Sequence, residues 1–474
     1  MNPGAPAFPP LGERFAAQRR AFAADSNPPL AVRRERLSRL LALVDDNEDA
    51  LVAAVDADFG GRAAQETRIA ETFVARRAVL HARRHLARWM RTRRVATALP
   101  FLPGRNRLAP QPLGVVGVVS PWNYPVQLTL CPLVAALAAG DRALIKPSEL
   151  TPRVSALLAE LAAKYFAPDL VSVVVGDAEI GKTFVALPFD HLLFTGSTAV
   201  GRQVAAAAAA NLTPTTLELG GKSPAIFDPS CDLAQASARV AAGKLLNAGQ
   251  TCIAPDYLLV PRGQADAAAA ALAAAMARLY PKLVANPDYT AIIGERHRNR
   301  LIALVAEARE AGARIVEINP AGESFADSRK LAPTLVIGAP QTSRAMREEI
   351  FGPVLPIVEY DAVEDAIAFV NRGDRPLALY WFGRDAARRA RVLSETIAGG
   401  VTVNDCLLHF VQEGQPCGGV GASGVGAYHG EWGFRTFSKL KPVFHQSNLS
   451  GFPLLRPPYG KVTDWILGAL KRLP

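Results

Sequence analysis

Asn247-Ala248-Gly249-Gln250-Thr251-Cys252 places one cysteine in a glycine-containing turn, directly after the apolar run Val240–Leu246. A turn exposes a thiol that a core strand or helix face would hide. A thiol near a positive helix end or polarising amides ionises more readily, and the thiolate is the nucleophile. About thirty residues upstream, Leu217-Glu218-Leu219-Gly220-Gly221-Lys222-Ser223-Pro224 sets a glutamate between two leucines ahead of a Gly-Gly turn. Apolar surroundings raise a carboxyl pKa and fit it for work as a base near neutrality. A nucleophilic cysteine with a separate base outlines a covalent acyl-enzyme that water then clears. Each residue alone also has a plainer reading. A lone cysteine packs as a small buried hydrophobe, and a glutamate between leucines can be a surface residue on a strand.

The elements that must carry these residues alternate. Residues from about 10 to 95 have the Arg/Ala/Leu periodicity of helices. From Leu113 onward short β-branched runs take over: Val115–Val119, then Ala143–Lys146, Val171–Val175 and His191–Phe194, with helices predicted at Leu128–Ala139, Ser155–Phe166 and Gly201–Ala210. Continuous apolar runs of this length mark parallel strands buried on both faces. A second alternation follows Glu218, with helices predicted at Leu233–Leu246, Ala265–Arg278 and Arg298–Ala311. The expected fold is α/β, with doubly wound parallel sheets in a cofactor domain and a catalytic domain.

Composition sets the bounds. The chain has 474 residues, half of them hydrophobic, which excludes a disordered protein and allows two or three domains. Five cysteines without a CxxC pattern point to a reducing compartment, and Met1–Pro10 lacks a secretory pattern, so the expected location is cytoplasmic. No apolar stretch reaches the roughly 20 residues that span a bilayer. No His/Cys cluster has metal-ligand spacing, so no metal is expected. The net charge of +10 is concentrated in the first hundred residues, most densely over Arg76–Arg94. Val79, Leu80, Leu86 and Met90 sit near helical spacing there, so the arginines form a solvated face, and no nucleic-acid partner is expected.

Two segments compete as the dinucleotide site. Gly419-Val420-Gly421-Ala422-Ser423-Gly424 matches GxGxxG, but a polar loop, Gln412–Pro416, precedes it where a buried strand should stand. Gly196-Ser197-Thr198 is better placed, after a strand and before a helix whose amides and dipole suit a pyrophosphate. Lys146 and Glu149 follow another strand at the carboxyl edge of the same sheet.

Both opening segments resemble the aldehyde dehydrogenase superfamily, whose LELGGKSP and GQTC motifs they match. Ser120-Pro121-Trp122-Asn123-Tyr124-Pro125, Lys146-Pro147-Ser148-Glu149, Phe194-Thr195-Gly196-Ser197-Thr198-Ala199-Val200-Gly201 and Glu349-Ile350-Phe351-Gly352-Pro353-Val354 are similar to further family segments in the family's order. Val403-Asn404-Asp405, Leu408-His409-Phe410, Gly418–Gly424 and Tyr428-His429-Gly430 resemble the shorter-chain class three branch. Gln111–Val115 and Ile253–Tyr257 are similar to bacterial coniferyl aldehyde dehydrogenases within it.

The resemblance implies Cys252 as nucleophile, Glu218 as base, and the Asn123 side-chain amide with the Cys252 N–H as oxyanion donors. It places NAD on Trp122, Lys146, Glu149, Gly196, Ser197, Gly201, Glu349 and Phe351, with NADP as the alternative. The implied substrate is an aromatic or cinnamyl aldehyde such as coniferyl aldehyde. A medium- or long-chain fatty aldehyde is the runner-up. Transfer of the acyl group to coenzyme A is disfavoured because the base is present. The implied layout is a cofactor domain over 1–217, a bridging element near 95–112, a catalytic domain over 218–408 and a C-terminal return over 409–474, in a homodimer. The chain departs from the branch at Cys417, where PFGG has phenylalanine, and the resemblance sets this position and the nearby glycine loop at the substrate entrance. The tail Lys461–Leu473 has helical spacing with basic ends. It is read as a helix docked on the dimer near that entrance, with weak peripheral membrane contact as the alternative.

Overall fold

A computed structural model describes residues 10–472. Residues 1–9 of the N-terminal segment, and Leu473 of the tail, lie outside the described part. The two expected sheets are present. The first orders its strands as 424–425, 215–218, 191–195, 115–119, 142–146 and 171–173, all parallel apart from the two-residue edge strand 424–425. The second runs 314–317, 334–337, 354–360, 257–261, 224–227, 378–382 and 400–403, parallel apart from its 314–317 edge. A third, antiparallel sheet joins 93–95, 105–112 and 438–445.

Strand Val115–Val119 is buried except at its last residue, and His191–Thr195 is buried throughout. Both are covered by helices on each face, which is why they lack polar alternation. Helix Gln127–Ala139 is buried on every side and correspondingly apolar all round. It is wedged between the first sheet and helices Leu30–Asp46 and Phe73–Trp89. This wedge fixes the Trp122–Pro125 corner that leads into it. Helix Phe73–Trp89 buries Val74, Val79, Leu86 and Trp89, while Arg76, Arg77, Arg84 and Arg88 face solvent.

Two expectations need correction. The helix expected from Gly201 begins at Thr198, because the Ser197 hydroxyl accepts the Val200 N–H and caps it. The 171–175 strand stops at Val173. The tail forms a helix over Lys461–Leu470 that meets the short turn 452–455 and leaves Val462, Trp465 and Leu467 exposed. Among the described residues no helix is long and apolar enough to cross a membrane.

Candidate active site

A cavity of about 1150 Å³ opens where the carboxyl ends of the first sheet face the second. Trp122, Asn123, Lys146, Glu149, Gly196, Ser197, Glu218, Cys252, Glu349 and Phe351 all border it. Gly201 does not. A Cβ there would lie 2.6 Å from the Leu219 side chain, so this glycine lets the 198–209 helix close onto the base-bearing strand.

The chemical end is built by three segments locking together. Asn247 and Ala248 adopt left-handed φ of 53° and 50°, which turns the chain out of helix Leu233–Leu245 toward the cavity. Such values in non-glycine residues store strain that only surrounding structure can hold. Gly249 then packs so tightly on Gly352 that an added Cβ would sit 2.3 Å from the Gly352 carbonyl oxygen. Cys252 is half-buried, open to the cavity on one side and packed on the second domain's apolar core on the other. The Asn123 amide nitrogen donates to the Gln250 carbonyl at 3.1 Å, and Tyr124 and Thr251 share a hydroxyl hydrogen bond of 2.7 Å. Asn123 is thereby held beside the cysteine turn with its second amide hydrogen uncommitted.

Glu218 ends the 215–218 strand, and its carboxyl group is buried with Oε1 lacking a partner. Burial alone pushes its pKa well above the usual carboxyl range. Its main chain is fixed on both sides: the Glu218 carbonyl accepts the Gly196 N–H at 3.0 Å, and the Leu219 N–H donates to the Ser423 carbonyl at 3.0 Å. Glu349 lies across Gly220, where a Cβ would meet its carboxylate oxygen at 2.1 Å. The double glycine after Glu218 thus makes room for the second carboxylate. Burial, with Asp256 nearby, lifts Glu349 to about 8, against the pull of the Gly221 N–H, Lys222 and Arg300.

These two acids change one expectation. The Cys252 thiol accepts N–H groups from its own residue and Ile253, but burial first, then Glu349 and Glu218, push it up to about 12. The turn does not by itself present a readily ionised thiol, because partial burial and the two nearby acids hold the proton on it.

The nucleotide end is wetter. Lys146 is buried and donates to the Pro147 carbonyl at 2.8 Å, 3.7 Å from the half-exposed Glu149 carboxylate. The capped end of helix Thr198–Ala209 opens on the cavity through Ser197 and Val200. Phe351, at φ 53°, sets its ring 5.3 Å from that of Trp122. An elongated cavity with a helix N-terminus at one wall and an unpartnered Glu349 Oε1 at the other fits a dinucleotide.

Several residues of the site carried no motif signal. His297 borders the cavity with its ring 5.0 Å from Trp122. Asp256 pairs with Lys222 and accepts the Ile350 N–H at 2.8 Å, and Lys222 also donates to the Glu348 carbonyl at 2.9 Å. This pair fastens the Glu349 segment beneath Glu218. Lys222 lies inside the LELGGKSP match, so its position was visible although its task was not. The glycine loop 419–424 packs against the base strand, with Gly424 opposite Glu218 and the Thr198 hydroxyl donating to the Ala422 carbonyl. Cys417 is buried, bridged through its main chain to Tyr428, and does not border this cavity.

Residues 12–443 match the Aldehyde dehydrogenase family. The chain belongs to the aldehyde dehydrogenase family. It is similar to a probable coniferyl aldehyde dehydrogenase of Caulobacter vibrioides, 46% identical over 98% of this chain and 97% of the relative. It is also similar to a coniferyl aldehyde dehydrogenase of Pseudomonas sp., 46% identical over 97% and 96%. A substrate-bound structure of Staphylococcus aureus AldH superposes with a TM-score of 0.92, at 36% identity over 98% of this chain and all of that one. A betaine aldehyde dehydrogenase from Staphylococcus aureus in complex with NAD+ matches with a TM-score of 0.83, at 26% identity over 92% and 87%. This aldehyde dehydrogenase is an oxidoreductase that works with a nicotinamide dinucleotide on an aldehyde group.

Proposed function

We propose that the chain oxidises an aromatic or cinnamyl aldehyde, of the coniferyl aldehyde type, to the carboxylic acid with NAD+. The observation that supports the route is the meeting of Cys252, Glu218 and Asn123 on one wall of the cavity. Cys252, whose thiol burial keeps protonated, gives that proton to water in the cavity, and its Sγ then attacks the aldehyde carbon. The Asn123 amide and the Cys252 N–H then hold the oxygen as it gains charge. A bound nicotinamide dinucleotide would supply the hydride acceptor, and loss of hydride from the tetrahedral carbon would leave a thioester on Cys252. Glu218 Oε1, dry and unpartnered, takes a proton from water, whose oxygen attacks the thioester and releases the acid. Lys146 and Glu149 would hold the adenosine ribose hydroxyls, Glu349 would hold the nicotinamide ribose, and Phe351 and Trp122 would flank the ring. The Glu149 carboxylate repels a 2′-phosphate, which favours NAD+ over NADP+.

Near-complete coverage by relatives named for coniferyl aldehyde supports the substrate class. The proposal extends to a cytoplasmic homodimer, with a cofactor domain over residues 1–217, a catalytic domain over 218–408 and a return segment over 409–474. A screen of aromatic, cinnamyl and long-chain aldehydes with both cofactors tests it. A kcat/KM for cinnamyl aldehydes with NAD+ that exceeds the others is expected. A clear preference for long-chain aldehydes would overturn the substrate assignment, and a tetramer by light scattering at micromolar protein would overturn the dimer.

A further inference from the structure

Behind Asn123 lies a charged pair that the chemistry itself does not use. Arg62 and Glu71 side chains are both fully enclosed, with Nη1 and Oε1 3.0 Å apart. A pair this dry is a poor way to gain stability compared with apolar packing. Its position supplies another reason for its presence.

The pair grips one short segment at both ends. Arg62 Nη1 donates to the Asn123 main-chain oxygen at 2.9 Å. Glu71 Oε2 accepts the N–H groups of Val126 and Gln127, at 2.7 and 3.2 Å, where helix Gln127–Ala139 begins. Between those points the guanidinium stacks on Tyr124, 4.8 Å from its ring centroid, with Phe59 at 4.9 Å. Arg62 is itself anchored, its N–H donating to Asp56 Oδ1 at 2.7 Å. The cysteine turn joins the same network. Asn247 Nδ2 donates to the Asn123 oxygen at 3.0 Å and to the Gln250 oxygen at 3.1 Å. Glu66 holds the Asn247 N–H at 3.1 Å and the Thr290 hydroxyl at 2.6 Å. One of the two Asn123 amide hydrogens is spent on Gln250. The aim of the other is then set by where the Asn123 main chain sits. Donors to a developing oxyanion act only within a few tenths of an ångström of the right place.

We propose that Arg62, held by Glu71, is a positioning residue for the oxyanion site, fixing the Asn123 main chain so that its amide stays aimed above Cys252. The inference rests on the reading of Asn123 as an oxyanion donor. Lysine cannot replace the arginine, because one point charge cannot pair with Glu71, bond the Asn123 carbonyl and stack on Tyr124 in a single plane.

A double-mutant cycle on the full-length enzyme, with a cinnamyl aldehyde and NAD+, tests it through the first-turnover rate of NADH formation. Arg62→Lys is expected to slow that rate roughly ten- to a hundredfold in the wild-type background. In an Asn123→Ala background the same change is expected to cost less than about twofold, with the dissociation constant for NAD+ unaltered. Glu71→Gln keeps an acceptor for the Val126 and Gln127 amides, removes the charge, and serves as the second probe should the lysine variant fold poorly. It is expected to show the same loss of effect once Asn123 is gone. Equal fold-losses in both backgrounds, or a wild-type rate in the variants, would overturn the proposal. A wild-type rate in Asn123→Ala alone would instead overturn the oxyanion reading beneath it.

Discussion

The two ends of the cavity are built on opposite principles. At the nucleotide end, each contact comes from a short local segment at the edge of one sheet, and Glu149 and Val200 remain open to solvent. At the chemical end, Asn123 and Glu218 are buried, the half-buried Glu349 keeps one carboxylate oxygen out of water, and all three are brought together from distant parts of the chain. Local and wet suits a ligand that must arrive and leave. Dry and interlocked suits groups whose pKa values must depart from their ordinary ones and whose geometry must hold during reaction.

The most severe test of that division is Cys252→Ala. It should lower kcat by roughly a thousandfold or more, while NAD+ titrations by fluorescence stay unchanged. Activity at even a tenth of wild type would move the nucleophile elsewhere. Glu218→Gln comes next. Stopped-flow traces should show a burst of NADH near one per site, then turnover slowed on the order of a hundredfold. A missing burst would mean that Glu218 is needed before hydride transfer. At the wet end, Lys146→Ala should raise KM for NAD+ about tenfold and leave kcat nearly intact, the loss of one charge-assisted hydrogen bond. A fall in kcat with unchanged KM would break the contrast between the two ends.

The smallest effect concerns stability. Glu349 has its carboxyl pKa raised from 4.5 to about 8 in the folded apo-protein. Below the lower value both states are protonated and burial carries no ionisation cost. Between the two values the unfolded chain binds fewer protons than the native one, so stability falls as pH rises. Glu349→Gln removes that loss. By differential scanning fluorimetry its Tm should exceed wild type by roughly 2–4 °C near pH 8.5, and the gap should close toward pH 5. A gap that is constant with pH would show that the carboxylate is not buried at a cost.

Legibility in the sequence followed the same division. Parallel strands such as Val115–Val119 announce themselves because burial on both faces leaves an unbroken β-branched run. Most of the site residues expected at the cavity lay in motifs because each motif is a compact turn, whereas His297 lay in none. The buried arginines had no such signal. The solvated face read over Arg76–Arg94 holds for Arg76 and Arg84, whereas Arg33 and Arg62, outside that stretch, are buried. Arg33 donates to the Ala138 carbonyl at 3.2 Å and also to that of Ala139, closing the C-terminus of the central helix. Such partners lie a hundred residues away, beyond what local periodicity carries. The raised pKa of the Cys252 thiol was hidden for a related reason. It reflects burial together with Glu349 and Glu218 converging on the turn, and spacing along the chain does not reveal convergence.

The strand of Gly424 and Val425 is two residues long, yet it closes the open edge of the first sheet beside Leu217 and Glu218. Every other strand of that sheet is complete by Glu218. During synthesis the edge that bears the base therefore waits, unpaired, while some two hundred further residues are made. Bare edges of this kind recruit strands from other chains. The late return of Gly424 makes the base the last part of the site to be finished. A chain cut short before that point would keep its nucleotide motifs and still present an adhesive edge where its chemistry should be.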